Sequence, residues 1–246
     1  MSTNMFGEGL GFAQAESYKL LRTNILFSLT DAKESHVIGV TSAYRNEGKS
    51  TTSINLAYEM AEYGKKVLLI ECDLRVPSIG RKLHIARTPG LSNALADTSS
   101  KAIIRESGLH DNLHVITSGD IPPNPSELLA SPRMETVIGQ LKGSYDFIIL
   151  DLPPVTIVAD ALSASKFTDG MVVVVREHFS NKRALRETVE QLKFVDARIL
   201  GFVTTYASNQ GKNYKRYGKK YGYGYKYNRA YGYAYEESVA EEQKDE

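Results

Sequence analysis

From residue 36 onward, short apolar runs alternate with longer stretches whose apolar positions recur every three to four residues, the pattern of parallel strands joined by helices that cover both faces of a sheet. Runs at 37–41, 67–70, 113–117, 147–150, 171–175 and 199–204 are the predicted strands. Those at 147–150 and 171–175 show no polar alternation, as strands buried on both faces require. Between the first two runs, Ile54, Ala57, Tyr58 and Ala61 fall at helical spacing and Gly64 supplies the stop. Ser131 and Pro132 read as the cap and first position of a helix reaching about Lys142, and Asn181 as the cap of another running toward Val195. Ahead of the sheet, Tyr18, Leu21, Ile25 and Leu29 form an apolar stripe on a helix that starts near Phe12. Glu16, Lys19 and Arg22 lie at steps of three along another of its faces, which suits either plain solvation or an interface with a neighbouring subunit. The expected organisation is a helical segment over 1–34, an α/β domain over 35–206 and an extension over 207–246.

Composition narrows this picture. A chain of 246 residues suffices for one α/β core with extensions. The formal net charge of +1 gives no reason to expect a nucleic-acid partner, yet it conceals a local separation. Lys212, Lys215, Arg216, Lys219, Lys220, Lys226 and Arg229 precede Glu236, Glu237, Glu241, Glu242, Asp245 and Glu246. The single Cys72 excludes an internal disulfide and fits a reducing compartment, the cytoplasm being the simplest. No run approaches the roughly 20 apolar residues needed to span a bilayer, so any membrane contact is expected through a partner.

Nine of the fifteen tyrosines fall within 214–235: Tyr214, Tyr217, Tyr221, Tyr223, Tyr225, Tyr227, Tyr231, Tyr233 and Tyr235. Glycines separate them and aliphatic residues are scarce, so the segment lacks the means to build a core and is expected to be accessible. Taken alone, it reads equally as a stacking surface for a partner or a polysaccharide.

The run from Thr41 through Ser42, Ala43, Tyr44, Arg45, Asn46, Glu47, Gly48, Lys49, Ser50 and Thr51 leaves a predicted strand and enters a predicted helix. Backbone N–H groups of such a loop wrap an anion, Lys49 reaches terminal phosphates and the Ser50 hydroxyl binds magnesium. Ala43 replaces the first glycine of the usual pattern. Two further strands end in acids, with Glu71, Cys72, Asp73, Leu74 and Arg75 after one and Asp151, Leu152, Pro153 and Pro154 closing the other. Carboxylates at the carboxyl ends of parallel strands beside a phosphate loop mark a magnesium site.

These three motifs together with the terminal tyrosines resemble the bacterial tyrosine kinases of capsule and exopolysaccharide synthesis, the BY-kinases. The resemblance runs from Glu16 to Tyr235 and includes Ser118, Gly119, Asp120, Ile121, Pro122, Pro123, Asn124, Pro125, Ser126, Glu127, Leu128 and Leu129. It implies the P-loop fold of the deviant partition and septum ATPases. It also implies ATP and Mg²⁺ as cofactors, and a ring assembled through an E-x-x-R-x-x-R helix, matched by Glu16, Lys19 and Arg22 with lysine at the centre. It further implies a separate transmembrane activator that regulates chain length, and other polysaccharide-synthesis proteins as substrates. In that scheme a cytoplasmic kinase is held by its partner at the inner face of the membrane.

By the same resemblance, residues 45–51 bind ATP, Ser50, Asp73 and Asp151 hold magnesium, and the tail tyrosines accept the γ-phosphoryl group. Glu71, where the family usually has aspartate, orients or deprotonates the phenol, and Arg75 stabilises charge or pairs with an acid of the site. The position that often contacts adenine in related ATPases corresponds to Thr204 or Thr205, so no base pocket is assigned. Rival readings are a partition-type or septum-type ATPase, which usually carries a lysine where this chain has Tyr44, and a nucleotide-binding scaffold without catalysis.

Overall fold

The computed structural model describes residues 5–29, 31, 33–96 and 104–207. Its strands are β1 (His36–Ser42), β2 (Val67–Glu71), β3 (Arg105–Glu106), β4 (Leu113–Ile116), β5 (Phe147–Asp151), β6 (Gly170–Arg176) and β7 (Ile199–Thr205). They form one sheet in the order β3-β4-β2-β5-β1-β6-β7, parallel throughout except for β3 against β4. The six predicted strands are present, each within one residue of its expected ends. Strand β3 was not anticipated, because two residues are too few to show a period.

The helices are α1 (Phe12–Ser28), α2 (Lys49–Glu62), α3 (Ile79–Lys82), α4 (Leu91–Ala96), α5 (Pro125–Ala130), α6 (Pro132–Lys142), α7 (Asp160–Ser165) and α8 (Lys182–Phe194). Alternation along the strands sorts the core into two layers. Val67 and Leu69 of β2, with Phe147 and Ile149 of β5, pack with Ile54, Leu56 and Met60 of α2 and with Ile25 of α1. Leu68, Ile70, Ile148 and Leu150 face the other way, against Met134, Ile138 and Leu141 of α6, Ala161 and Ala164 of α7 and Leu192 of α8. By the same parity, Glu71 and Asp151 end their strands on the α2 side, and they are register partners.

The expected caps form. Ser131 Oγ accepts from the Met134 N–H at 3.2 Å, and Asn181 Oδ1 from the Ala184 N–H at 2.8 Å. Each satisfies one of the donors that a helix start leaves open. Gly64, at φ 80°, ends α2 as predicted. Among the described residues no helix is long and apolar enough to cross a membrane.

One close approach ties the loop before α4 to the turn after β4. The Leu91 N–H donates to Thr117 O at 2.8 Å and the Gly119 N–H to Arg87 O at 3.1 Å, with Gly90 between the two segments. A Cβ on Gly90 would lie 2.3 Å from Thr117 O and 2.4 Å from Gly119 N, so backbone must move to admit it. Gly90→Ala is therefore expected to lower stability by about 2–4 kcal/mol, read as a shifted urea midpoint. Gly139→Ala, inside α6 with nothing within 4 Å of its Cβ, is the control. There the helical preference for alanine should raise stability by roughly 0.5–1 kcal/mol.

Candidate active site

Strand β1 hands over to α2 through residues 43–48, and the shape of this loop is imposed from outside. Thr156 Oγ1 donates to Ala43 O at 2.5 Å, Arg176 Nη1 to Asn46 O at 3.0 Å and Thr205 Oγ1 to Glu47 O at 2.6 Å. Three loop carbonyls thus point outward to donors at or beyond the ends of β5, β6 and β7, which favours N–H groups turned inward, the arrangement of an anion nest. Asn46 and Gly48 take left-handed conformations at φ 63° and 96°, and no side chain caps the α2 N-terminus. That terminus carries the partial positive charge that attracts phosphate.

The side chain of Glu47, a residue expected among the nucleotide contacts, braces the loop from within. It is fully buried, with Oε2 accepting from the Tyr44 N–H at 2.7 Å and Oε1 from the Ser180 hydroxyl. Arg45 and Asn46 are exposed at the loop's crest, and Lys49 is buried at the start of α2. Ser50 Oγ accepts from Ser78 Oγ at 2.9 Å, and Thr51 Oγ1 from Lys82 Nζ at 3.2 Å. Lys82 did not stand out in the sequence. Burial lowers its pKa, with Asp151 opposing that shift.

The two strand-end acids have different fates. Glu71 accepts from the Ser78 and Ile79 N–H groups through Oε1, and from the Ser118 N–H at 3.0 Å through Oε2. Its extra methylene lets it reach the start of α3 and the turn after β4 together, so it fastens both to β2. Three backbone donors thus hold the carboxylate that was expected to orient or deprotonate the phenol, which gives it a structural task at this position.

Asp151 is buried, with Ser53 Oγ donating to Oδ1 at 3.0 Å and Oδ2 left without a hydrogen-bond partner. Burial pushes its carboxyl from the ordinary 3.8 up to about 7, against the pull of Lys49, Ser50 and Ser53 and with a push from Glu71. Asp73 stands on the partly exposed loop beyond β2, with Oδ1 accepting from the Val76 N–H at 3.0 Å.

The chemistry of these side chains is compatible with magnesium. An unpartnered buried carboxylate oxygen, a serine hydroxyl and a second acid are hard oxygen donors of the kind the ion uses. Among the described residues no three His, Cys, Asp or Glu side chains converge on one point.

Arg75 pairs with an acid, one of the two expected roles, and the acid is Asp160, 85 residues away. Its Nε lies 2.9 Å from Oδ2 and its Nη2 3.1 Å from Oδ1, while Nη2 also reaches Ser126 Oγ at 3.2 Å. No local pattern marked Asp160. Of the helix triplet, Lys19 and Glu16 pair at 2.8 Å on the exposed face of α1. Arg22 turns inward to Glu59 Oε2 at 3.3 Å and lies 4.7 Å over the Tyr63 ring, so the three do not share one free face. The nine tail tyrosines lie outside the described residues.

The sheet order, the braced loop and the strand-end acids define a nucleotide-binding P-loop protein, and residues 35–200 match the AAA domain family. The septum site-determining protein MinD from Pyrococcus horikoshii, in complex with Mg-ADP, shares this fold at 25% identity and a TM-score of 0.58, over 69% of this chain and 70% of that one. Closer likeness lies with kinases. Tyrosine-protein kinase YwqD of Bacillus subtilis is 39% identical over 189 residues, which is 77% of this chain and 79% of that protein. The kinase domain of Escherichia coli tyrosine kinase ETK superposes with a TM-score of 0.73 at 29% identity, over 79% of this chain and 77% of that one. The chain belongs to the bacterial tyrosine-protein kinases of P-loop fold.

The raised Asp151 pKa sets a pH dependence for the nucleotide-free protein. The folded state holds this proton more tightly than the unfolded chain between 3.8 and about 7. The contribution is complete below 3.8 and is lost as pH rises through about 7. In urea titrations across that window, the wild-type midpoint should fall relative to that of Asp151→Asn, which lacks the titrating group. Parallel pH profiles for the two proteins would contradict this assignment.

Proposed function

We propose that this protein transfers the γ-phosphoryl group of ATP to tyrosine hydroxyls, first among them Tyr214, Tyr217, Tyr221, Tyr223, Tyr225, Tyr227, Tyr231, Tyr233 and Tyr235 of another copy, and thereby regulates synthesis and export of capsular or extracellular polysaccharide. The observation that carries this reading is a braced phosphate loop set over buried strand-end acids in a chain of tyrosine-kinase relatives that brings nine acceptor hydroxyls with it.

Lys49 and the N–H groups of residues 45–51 hold the phosphates, while Ser50, Asp73 and Asp151 hold Mg²⁺. That ion, when bound, neutralises charge on the β and γ phosphates. The orphaned Oδ2 of Asp151 supports its place in this set. A loose phosphoryl-transfer transition state asks little of a base. The partly exposed Asp73 therefore suffices to orient the phenol, with Glu71 holding the surrounding backbone.

The tail spans the charge separation noted above. Each phosphotyrosine adds about 1.5 to 2 negative charges at neutral pH, so four or five outweigh the seven basic residues around them. Copies assemble as a ring through α1, which offers Glu16 and Lys19 outward while Arg22 secures it to α2. A transmembrane activator on a separate chain completes the site and holds the kinase at the inner face of the cell membrane. Other proteins of polysaccharide synthesis are further substrates.

Incubation of the full chain with Mg²⁺ and ATP followed by mass spectrometry tests the reading. Phosphate is expected on tyrosines within 214–235, and Lys49→Ala should reduce its rate by about 10²-fold or more. Phosphate release from ATP without phosphotyrosine would identify a hydrolytic switch and overturn the proposal.

A further inference from the structure

The Arg75 guanidinium sits at the rim of the site with its hydrogen-bonding edge already in use. Nε and Nη2 bind the two oxygens of Asp160, whose side chain has 0% exposure, and Nη2 also meets Ser126. The Ser126 hydroxyl donates to the same carboxylate, so three segments converge on this pair: the loop after β2, the start of α5 and the start of α7. With Nε and Nη2 so engaged, only the Nη1 donors of the guanidinium remain to meet a phosphate. Its flat face is not consumed by that pairing, and the Arg75 side chain keeps 37% of its surface exposed.

Two other arginines show what such a face binds. Arg22 lies 4.7 Å over the Tyr63 ring, and Arg176 lies 5.0 Å from Phe179 and 4.1 Å from Tyr206. Among the described residues no aromatic ring of the chain lies over Arg75. Close in sequence to the three residues of this cluster stand exposed aliphatic side chains: Val76 at 50%, Ile121 at 57% and Ile157 at 45%. Val76 follows Arg75 directly, Ile157 precedes Asp160 by three residues and Ile121 precedes Ser126 by five. The Val76 N–H is held by Asp73, so the flat cation and the candidate magnesium acid share one short loop.

We infer that Arg75, clamped by Asp160 and Ser126, is the platform on which the acceptor tyrosine ring lies, with Val76, Ile121 and Ile157 as its apolar border. This inference rests on the tyrosine-kinase reading and supplies its selectivity. A phenol presents a π face to a cation fixed from behind, and reaches from that plate toward Asp73. A seryl side chain has no such face and is shorter. Because Asp160 holds the guanidinium in place beforehand, little side-chain freedom remains to be lost when the ring docks.

The test measures direct binding of peptides copying residues 219–227, with phenylalanine in place of each tyrosine, to the full chain loaded with Mg-ADP. Ring fluorination withdraws the electrons that attract a cation. Affinity for the wild type should therefore weaken stepwise from phenylalanine to its pentafluoro form, by about tenfold in all. The same series should be flat for Arg75→Gln/Asp160→Asn, a pair of changes that leaves no buried unpaired charge and whose thermal midpoint reports folding. Arg75→Lys keeps the charge without the plate, so its tyrosine-peptide KM should rise about tenfold, with the loss falling on KM rather than kcat. A flat series in the wild type, or an unchanged KM in Arg75→Lys, would sink the inference. Absence of tyrosine phosphorylation by the wild type would instead overturn the kinase reading, while the fluorination series still reports on the platform.

Discussion

The parallel register of β2 and β5 sets Glu71 and Asp151 side by side, both buried, on the face that α2 covers. Two carboxylates in that position repel each other and lose their hydration, and burying an ionised carboxylate costs several kcal/mol unless something offsets it. The fold treats them differently. Glu71 stays bound to three backbone N–H groups, at the price of having no freedom left, and in doing so it anchors α3 and the turn after β4. Asp151 receives one hydroxyl, from Ser53, and its Oδ2 has no hydrogen-bond partner, while burial raises its carboxyl pKa to about 7. Structure and candidate chemistry therefore divide between two residues that look equivalent at the ends of their strands.

The phosphate loop is likewise a product of its surroundings. It has alanine at its first glycine position, and its conformation is held by Thr156 after β5, Arg176 at the end of β6 and Thr205 at the end of β7. Thr205 Oγ1 grips Glu47 O, and the next residue, Tyr206, lies with its ring 4.1 Å from the Arg176 guanidinium that binds Asn46 O. The end of the last strand is thus in contact with the candidate phosphate loop. Hydrogen bonds and a cation–π contact join the two.

Local pattern carried the reading of the sheet, the phosphate loop, and the caps at Ser131 and Asn181, because strand alternation, a glycine-lysine-serine turn and a helix cap each involve residues within a few positions of one another. The terminal tyrosines were legible from composition alone. Elements of two to six residues, such as β3, α3 and α7, escaped notice, since they are too short to repeat a period and are held by tertiary contacts.

What the sequence by itself determined is the inventory: which strands are buried, which loop leads from β1 into α2 and which acids stand at the sheet's carboxyl end. Only the tertiary structure decided the pairings that assign work to those residues. Arg75 finds Asp160 across 85 positions, Arg22 turns to Glu59 across 37, and Glu71 meets Ser118 across 47. Such partners are chosen by how the strands are ordered in the sheet, and a carboxylate becomes an anchor, a brace or an ion ligand according to the donors the fold brings within about 3 Å.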